Sequence, residues 1–238
     1  MNFNSADSGK DVVGRNVGNS DEEIRSNTRR FYEGCAYPPS KKFYFAGPGY
    51  GMSGADSWKI YHNVLDTIIE QTNKGNCDEI VMVGWSRGAA IISELTEGLS
   101  ALAETNSRRV AYQKGGRGTR YRTQRNVIKG GKLPPIKFIG LFDSVSMIWR
   151  NSPIDRKWGE DITSQVNYFA HVVAGDRTGP VWGLVDFYPA NPLIEATRQE
   201  VMHLANTNHG GVGGQDDTAS AQIAYRYIRH HATIAGVP

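Results

Sequence analysis

The chain has 238 residues, of which 39% are hydrophobic and 21% are charged, with a formal net charge of +3 at pH 7. This composition predicts one soluble α/β domain, residues 1–238, with a sizeable core. No stretch approaches the ~20 apolar residues of a membrane-spanning helix, and the first residues lack the basic and apolar regions of a secretory signal. We therefore expect synthesis in the cytoplasm, and a route of export that needs no cleavable signal stays open.

Predicted strands and helices alternate along the chain. The strands fall at 2–6, which is poorly supported, and at 41–46, 79–83, 136–142 and 200–205, and the helices at 21–32, 56–72, 87–103 and 218–231. The first two helices have plausible N-terminal caps in Ser20 and in residues 55–57. The alternation predicts an α/β fold with a mainly parallel sheet and helices on both faces. In such sheets ligands bind beyond the carboxyl ends of the strands.

The strand at 79–83 runs into the pentapeptide Gly84-Trp85-Ser86-Arg87-Gly88, and a helical pattern follows directly. Strand, G-x-S-x-G turn and helix together predict a nucleophile elbow, in which the serine hydroxyl stands clear of the backbone. The two glycines fit the close approach of strand and helix. The backbone N–H of Arg87 and the positive end of the helix dipole would stabilise an oxyanion beside Ser86.

A basic insert at about 105–133 follows the third predicted helix. Between residues 107 and 132 lie nine of the 27 Lys and Arg residues and no acid, which leaves 18 basic residues against 24 acidic ones elsewhere. With its glycines, the insert is typical of a loop or a flexible excursion. It could contact the phosphates of an anionic membrane or of nucleic acid, or be a plain solvated surface. Nucleic acid is disfavoured, because regular aromatic interleaving is lacking.

A second unusual segment, at about 146–198, is rich in aromatic residues, proline and glycine. Such a long irregular stretch is typical of a lid or of a substrate pocket wall, although its aromatic side chains could also simply pack on the sheet. The predicted substrate pocket takes one residue from the elbow and four from this segment, namely Trp85, Trp149, Trp182, Phe187 and Tyr188.

A serine nucleophile needs a base, and the base needs an orienting acid. Asp143 directly follows the apolar strand at 136–142, where the acid of an α/β-hydrolase belongs. Capping of the following turn is the alternative role for its carboxylate.

The six histidines that could serve as the base are His62, His171, His203, His209, His230 and His231. The first precedes the serine, and the last two look like surface residues of the terminal helix. His203 fits a core position in the last strand, and His171 fits a structural role. His209 lies just past the last strand in a glycine-rich segment, where mobile backbone suits a side chain that reaches over the sheet edge, so we predict His209 as the base.

No group of His, Cys, Asp and Glu has the spacing of metal ligands, and the glycine clusters lack the spacing of nucleotide-binding loops. Cys35 and Cys77, the two cysteines, suggest neither a disulfide framework nor a metal site and fit free buried thiols. We expect no metal and no cofactor.

Several motifs resemble, in order, those of the DUF2235 group of α/β-hydrolases, which includes type VI secretion phospholipase effectors (Tle1-like lipases). The segments that resemble its motifs are 26–34 (SNTRRFYEG), 43–51 (FYFAGPGYG), 84–89 (GWSRGA), 140–145 (GLFDSV), 171–177 (HVVAGDR) and 209–214 (HGGVGG). The family's opening motif F-D-G-T-G-N has only a weakly similar counterpart at 6–11 (ADSGKD). The matches span nearly the whole chain.

The resemblance implies a serine hydrolase acting on lipid or other esters, with Ser86, Asp143 and His209 as nucleophile, acid and base. It also implies that the loop at 6–11, with Asp7 and Ser8, supplies the second oxyanion-hole N–H beside that of Arg87. Two alternatives stay open: an esterase or thioesterase for small or polymeric non-lipid esters, and a catalytically silent protein that binds anionic partners through the basic insert. Acyl chain, headgroup, positional specificity and oligomeric state are not indicated by the sequence.

Overall fold

A parallel β-sheet with helices on both faces forms the centre of the computed structural model, which describes residues 2–4, 26–47, 57–113, 120–145, 161–163, 165–175, 193–194, 196–215 and 218–238. The elements in chain order are β1 (Asn2–Asn4), α1 (Asn27–Gly34), a 3-10 turn (Pro39–Lys41), β2 (Tyr44–Ala46), α2 (Ser57–Asn73), β3 (Ile80–Trp85), α3 (Arg87–Thr105), β4 (Ser107–Gln113), β5 (Arg120–Arg125), β6 (Ile136–Phe142), β7 (Asp161–Ile162), β8 (Tyr168–Ala174), β9 (Leu193–Ile194), β10 (Arg198–Leu204), α4 (His209–Gly213) and α5 (Ala219–Ile234).

Six strands make the main sheet, in the order β10-β8-β6-β3-β1-β2, and every neighbouring pair is parallel. Trp85 of β3 lies level with Phe142 of β6, and Phe142 lies level with Val172 of β8. The carboxyl ends of the three central strands therefore meet at one edge of the sheet. In parallel sheets that edge is where ligands bind.

Helices cover both faces of this sheet, so its central strands are apolar throughout rather than alternating. On one face, α2 and α3 pack through side chains such as Ile68 and Leu95. On the other, α1 and α5 pack through side chains such as Phe31 and Ile228. Every residue of β8 is buried. The predicted α/β-hydrolase-like architecture is confirmed.

The sequence prediction missed β8, because its Tyr168–Ala174 range lies inside the segment that composition marked as irregular. This strand is central, pairing with β6 and β10. Its buried positions carry aromatic, β-branched and histidine side chains without an alternating pattern, so period-two patterning did not single it out. The aromatic-rich segment is thus not wholly irregular.

One further prediction is wrong, and another lies partly outside the described residues. The helix α1 begins at Asn27 and is capped by Ser26, whose hydroxyl accepts a hydrogen bond from the Arg29 N–H at 3.2 Å. The predicted start at residue 21 and the predicted cap Ser20 lie outside the described residues. The basic insert is not a loop: β4 and β5 pair in antiparallel register from Ser107–Arg125 inward to Gln113–Arg120. We call these two strands, Ser107–Gln113 and Arg120–Arg125, the basic hairpin. The remaining predicted strands and helices agree with the structure to within a few residues at each end.

Within the described ranges, the helices are all too short or too polar to cross a membrane. Cys35 and Cys77 are free thiols, the former buried and the latter half-buried. No cluster of three or more His, Cys, Asp or Glu side chains suited to a metal ion occurs among the described residues.

Candidate active site

Ser86 occupies a sharp turn between β3 and α3, with φ 58° and ψ −130°. An L-residue adopts such a backbone only under constraint, which is the signature of a nucleophile elbow. A Cβ on Gly84 would lie 2.7 Å from Ile92 Cδ1 and 2.9 Å from the Ala89 backbone nitrogen, so strand and helix come too close for any side chain there. Arg87 is the first residue of α3, where an oxyanion-binding N–H is expected.

Asp143 follows the last residue of β6 and lies beside Ser86, because the strands that precede them are in register. Its φ is 40°, also in the left-handed region. The Asp143 N–H donates to Val172 O at 2.7 Å, and its Oδ1 accepts from the Ala174 N–H at 3.0 Å. These contacts with β8 fix both backbone and carboxylate. The side chain is 3% exposed.

His209 is the first residue of the short helix α4, which Asn208 caps by accepting from the Gly211 N–H at 2.8 Å. His209 Nδ1 lies 2.7 Å from Asp143 Oδ2, and both side chains are almost fully buried. An ionised carboxylate can only accept, so Nδ1 is the donor and Nε2 is the basic nitrogen of the neutral ring. The structure thus brings together the predicted acid and base at the strand edge that carries Ser86.

Contacts behind α4 hold His209 in place. The Trp85 ring stacks on the His209 ring with centroids 5.3 Å apart. A Cβ on Gly213 would lie 2.0 Å from Trp85 Cε2, so α4 rests directly on the indole. From α1, Asn27 Nδ2 donates to Val212 O and to Ala221 O, both at 2.9 Å. The glycine-rich segment is therefore a packed helix and not the mobile backbone that the sequence indicated.

This packing corrects the predicted role of Trp85. We expected it to line the substrate pocket, yet it is 2% exposed and belongs to the core between the sheet, α1 and α5. Its ring supports the histidine instead. The other predicted pocket residues, Trp149, Trp182, Phe187 and Tyr188, lie outside the described residues, as do Asp7 and Ser8 of the predicted oxyanion loop.

His171, for which the sequence suggested a structural role, lies beside the acid. This buried histidine of β8 accepts a hydrogen bond through Nε2 from the Ser144 N–H at 3.2 Å, directly after Asp143. His203, expected in the core, is exposed on β10. His231, expected at the surface, is buried and bonds Tyr168 Oη through Nδ1 at 2.7 Å. His62 lies half-buried on α2, and His230 is exposed.

A cavity of about 430 Å³ lies at the opposite edge of the sheet, where strands begin. Its wall includes Cys35, Tyr37, Phe43 and Glu79, none of which is a candidate catalytic residue. Although burial acts to raise it, the pKa of Glu79 lies below its ordinary value, because Lys137 and Tyr37 hydrogen-bond its carboxylate. A substrate must lie against the groups that react with it, and Ser86 does not line this cavity. The cavity is therefore separate from the candidate active site.

Comparison with models of known protein families gives no match, and no curated protein matches the chain. Among solved structures, a crystal structure of an uncharacterized protein from Pseudomonas aeruginosa is similar, with TM-score 0.54 and 14% identity, over 99% of this chain and 45% of that one. The Tle1 effector bound to the VgrG spike from the Type 6 secretion system aligns with TM-score 0.48 and 16% identity, over 79% of this chain and 40% of that one.

This chain thus spans less than half the length of either of these two structures. At 14% identity, the likeness to the Pseudomonas aeruginosa protein is one of fold. It supports the α/β architecture and does not identify a substrate.

Proposed function

We propose that this protein is a serine hydrolase that cleaves carboxylic esters with Ser86 as nucleophile, His209 as base and Asp143 as acid. The observation that carries the proposal is the buried 2.7 Å contact between His209 Nδ1 and Asp143 Oδ2, beside a serine in the elbow conformation. Serine, acid and histidine in this chain order and at these strand ends are the arrangement of α/β-hydrolases.

Each residue has one task in the reaction. His209 Nε2 takes the hydroxyl proton as Ser86 Oγ attacks the ester carbonyl, and the Asp143 carboxylate stabilises the imidazolium that forms. Backbone N–H groups at the start of α3, that of Arg87 first, stabilise the oxyanion. The imidazolium then protonates the departing alcohol and leaves an acyl-enzyme. Water that gives its proton to His209 hydrolyses this intermediate and restores the serine.

We extend the proposal to acyl esters of lipids, including phospholipids. The support is the ordered resemblance of the elbow, acid and histidine segments to those of type VI secretion lipases, together with a strongly basic surface on the same chain. Small soluble esters would be cleaved by the same residues, so the chemistry and the substrate class are tested separately.

The test of the chemistry is labelling with a fluorophosphonate, followed by the intact mass. Wild-type protein should gain one adduct and hydrolyse a soluble aryl ester, whereas Ser86→Ala should do neither while melting at a similar temperature. Ser100→Ala, at the far end of the same helix, is the matched control and should behave as wild type. Labelling of Ser86→Ala as strong as that of wild type would show that another residue is the nucleophile.

A further inference from the structure

The basic hairpin is an exposed two-stranded ribbon outside the main sheet. Among the described residues, β4 and β5 form a sheet of their own. Arg109 on β4 and Arg122 and Arg125 on β5 are exposed, and residues 107–132 contain no acidic side chain. Residues 122–125 of β5 are all exposed, so this strand presents Arg122 and Arg125 to solvent.

The base of the hairpin is fastened to α2. Asn73, the last residue of that helix, donates to Val127 O at 2.9 Å and accepts from the Lys129 N–H at 2.7 Å. Two residues into β4, Arg108 forms an ion pair with Asp66, which lies about two turns earlier on the helix. The hairpin therefore starts along the C-terminal half of α2.

The exposed stripe of α2 continues this surface to an aromatic cluster. Trp58, His62 and Asp66 are spaced four residues apart and so share one side of the helix. Trp58 is 36% exposed, stacks on Tyr61 with centroids 5.0 Å apart and meets the edge of His62 at 4.5 Å. The pKa of His62 is lowered by burial and also by the charge of Arg108, although Asp66 acts to raise it. Arg108 at the base of the hairpin and the aromatic ring of Trp58 therefore both lie close to His62.

The acids of this stripe are balanced by partners. Asp66 pairs with Arg108 and Glu70 pairs with Lys74. Arg122 and Arg125 therefore add positive charge beside two acids that already have partners. At the aromatic end, burial and the charges of Glu94 and Glu97 on α3 raise the pKa of Tyr61. The positive charge is thus concentrated on the hairpin, and the exposed indole lies at the other end of the stripe.

We propose that the basic hairpin and the Trp58 end of α2 form a docking surface for an anionic lipid bilayer. The inference rests on the proposed lipid substrate and names the surface that would bring the enzyme to it. Arginine guanidinium groups suit lipid phosphates, and an indole with an apolar body and one N–H suits the headgroup region. Nucleic acid fits less well, because one face of Trp58 is covered by Tyr61 and is closed to base stacking.

Docking is measured on Ser86→Ala protein, so that binding is separated from hydrolysis. Co-sedimentation with phosphatidylglycerol vesicles should be strong at about 0.05 M salt and weaken at least tenfold by about 0.5 M, since the contact is electrostatic. Phosphatidylcholine vesicles should bind at least tenfold more weakly. Added Arg122→Glu and Arg125→Glu should reduce binding to anionic vesicles at least tenfold.

The matched control reverses two exposed charges elsewhere, Lys41→Glu and Arg226→Glu, and should keep most of the binding. Trp58→Ala should weaken vesicle binding at high salt as well as at low salt, because the contribution of the indole is apolar. In otherwise wild-type protein, the Arg122 and Arg125 reversals should leave the hydrolysis of a soluble aryl ester unchanged, which separates this inference from the proposed catalysis.

Equal loss of binding in both double variants would overturn the proposal, because it would reflect net charge rather than this surface. Binding that ignores salt, or binding to a DNA oligonucleotide without binding to vesicles, would also overturn it. Normal ester hydrolysis without vesicle binding would reject the surface and leave the chemistry standing.

Discussion

Two residues of the candidate site have backbones in the left-handed region. Ser86 has φ 58° and Asp143 has φ 40°, and such conformations typically cost about 1–3 kcal/mol each. Neighbouring strands hold both in place: the Ser86 N–H donates to Phe142 O at 3.1 Å and the Asp143 N–H to Val172 O at 2.7 Å. Among the described residues, the other non-glycine residues with positive φ are Asn106, Asn126 and Asn206, and asparagine tolerates this region better than serine does. Ser86 and Asp143 are thus held in this conformation where their side chains must project from the strand ends.

Replacement of the acid by its amide tests the role of Asp143. Asp143→Asn keeps an oxygen that can accept from the Ala174 N–H, but it no longer presents a carboxylate to His209 Nδ1. The rate of ester hydrolysis should fall by about 10³–10⁴-fold with little change in melting temperature. Steady-state kinetics with a soluble ester measure this. Asp78→Asn, an exposed aspartate before β3, is the control, and an equal loss there would contradict the assignment.

The buried His231 predicts how stability depends on pH. Burial lowers its pKa, with further lowering by His230 and Arg198, while Glu200 acts to raise it. As the pH falls below the unfolded value of about 6.5, the unfolded chain takes up a proton before the folded one does. The histidine therefore lowers stability as the pH falls from about 6.5 toward the folded pKa.

His231→Gln removes this titration, so its melting temperature should fall less than that of wild type between about pH 7 and about pH 5. His230→Gln, at an exposed neighbouring position, should follow wild type. Parallel curves for wild type and His231→Gln would show that His231 contributes nothing to the acid sensitivity.

At the scale of elements, α4 links the histidine to the body of the protein. Its five residues touch β3 through Trp85 and α1 through Asn27. A helix this short has little stability of its own, so its position depends on these neighbours. Both contacts can be altered by substitutions that leave Ser86, Asp143 and His209 unchanged.

Gly213→Ala places a methyl group into the indole of Trp85, where an ideal Cβ would lie 2.0 Å from Cε2. Because the ring is buried, α4 must move, and a shift of about 1 Å at His209 is enough to lower the rate about 10²-fold. Gly210→Ala in the same helix comes too close only to the end of the Gln215 side chain, which can rotate away, and it makes an ordinary contact with Asn208 Oδ1 at 3.7 Å. Kinetics of the two variants should differ, and equal rates would show that α4 tolerates displacement.

Asn27→Ala removes two buried hydrogen bonds, to Val212 O and Ala221 O. The loss of these two buried hydrogen bonds should destabilise the fold by roughly 1–3 kcal/mol together. Urea unfolding should show this as a lower free energy of unfolding, with Asn76→Ala as a control whose exposed amide bonds only Gln71 in the described structure. A change below about 0.5 kcal/mol would contradict the role of Asn27.

Some elements could be predicted from the sequence and others could not, for physical reasons. The positions of Asp143 and His209 followed from the rule that parallel strands end at one edge, since each comes just after a strand whose pattern was legible. The hairpin was not predictable from apolar alternation, because its strands carry several arginines and its composition is typical of a loop. The support from Asn27 and Trp85 depends on contacts between distant segments, which no local pattern encodes.

At the scale of the whole molecule, charge and fold are divided between two parts of the chain. The segment from 107 to 132 has nine basic residues and no acid, whereas the rest has more acidic than basic residues. The main sheet and the candidate catalytic residues lie outside that segment. Catalysis and attraction to an anionic surface should therefore be separable by a cut at the base of the hairpin.

The structure shows where that cut belongs. Ser107 and Arg125 face each other in register, so residues 108–124 can be replaced by a two-residue Asn-Gly turn. The contacts of Asn73 and Asn106 with residues 127–129 stay intact. The lost Arg108–Asp66 pair is a partly exposed surface pair, and such pairs contribute at most about 1 kcal/mol.

The shortened protein should melt within a few degrees of wild type and hydrolyse a soluble ester at a similar rate, because no strand of the main sheet is touched. Its binding to anionic vesicles should be lost. Thermal melts, ester kinetics and co-sedimentation on one preparation measure all three. Loss of folding or of ester hydrolysis would instead show that the hairpin supports the main sheet. That support would act through α2 and α3, the two helices that contact the base of the hairpin.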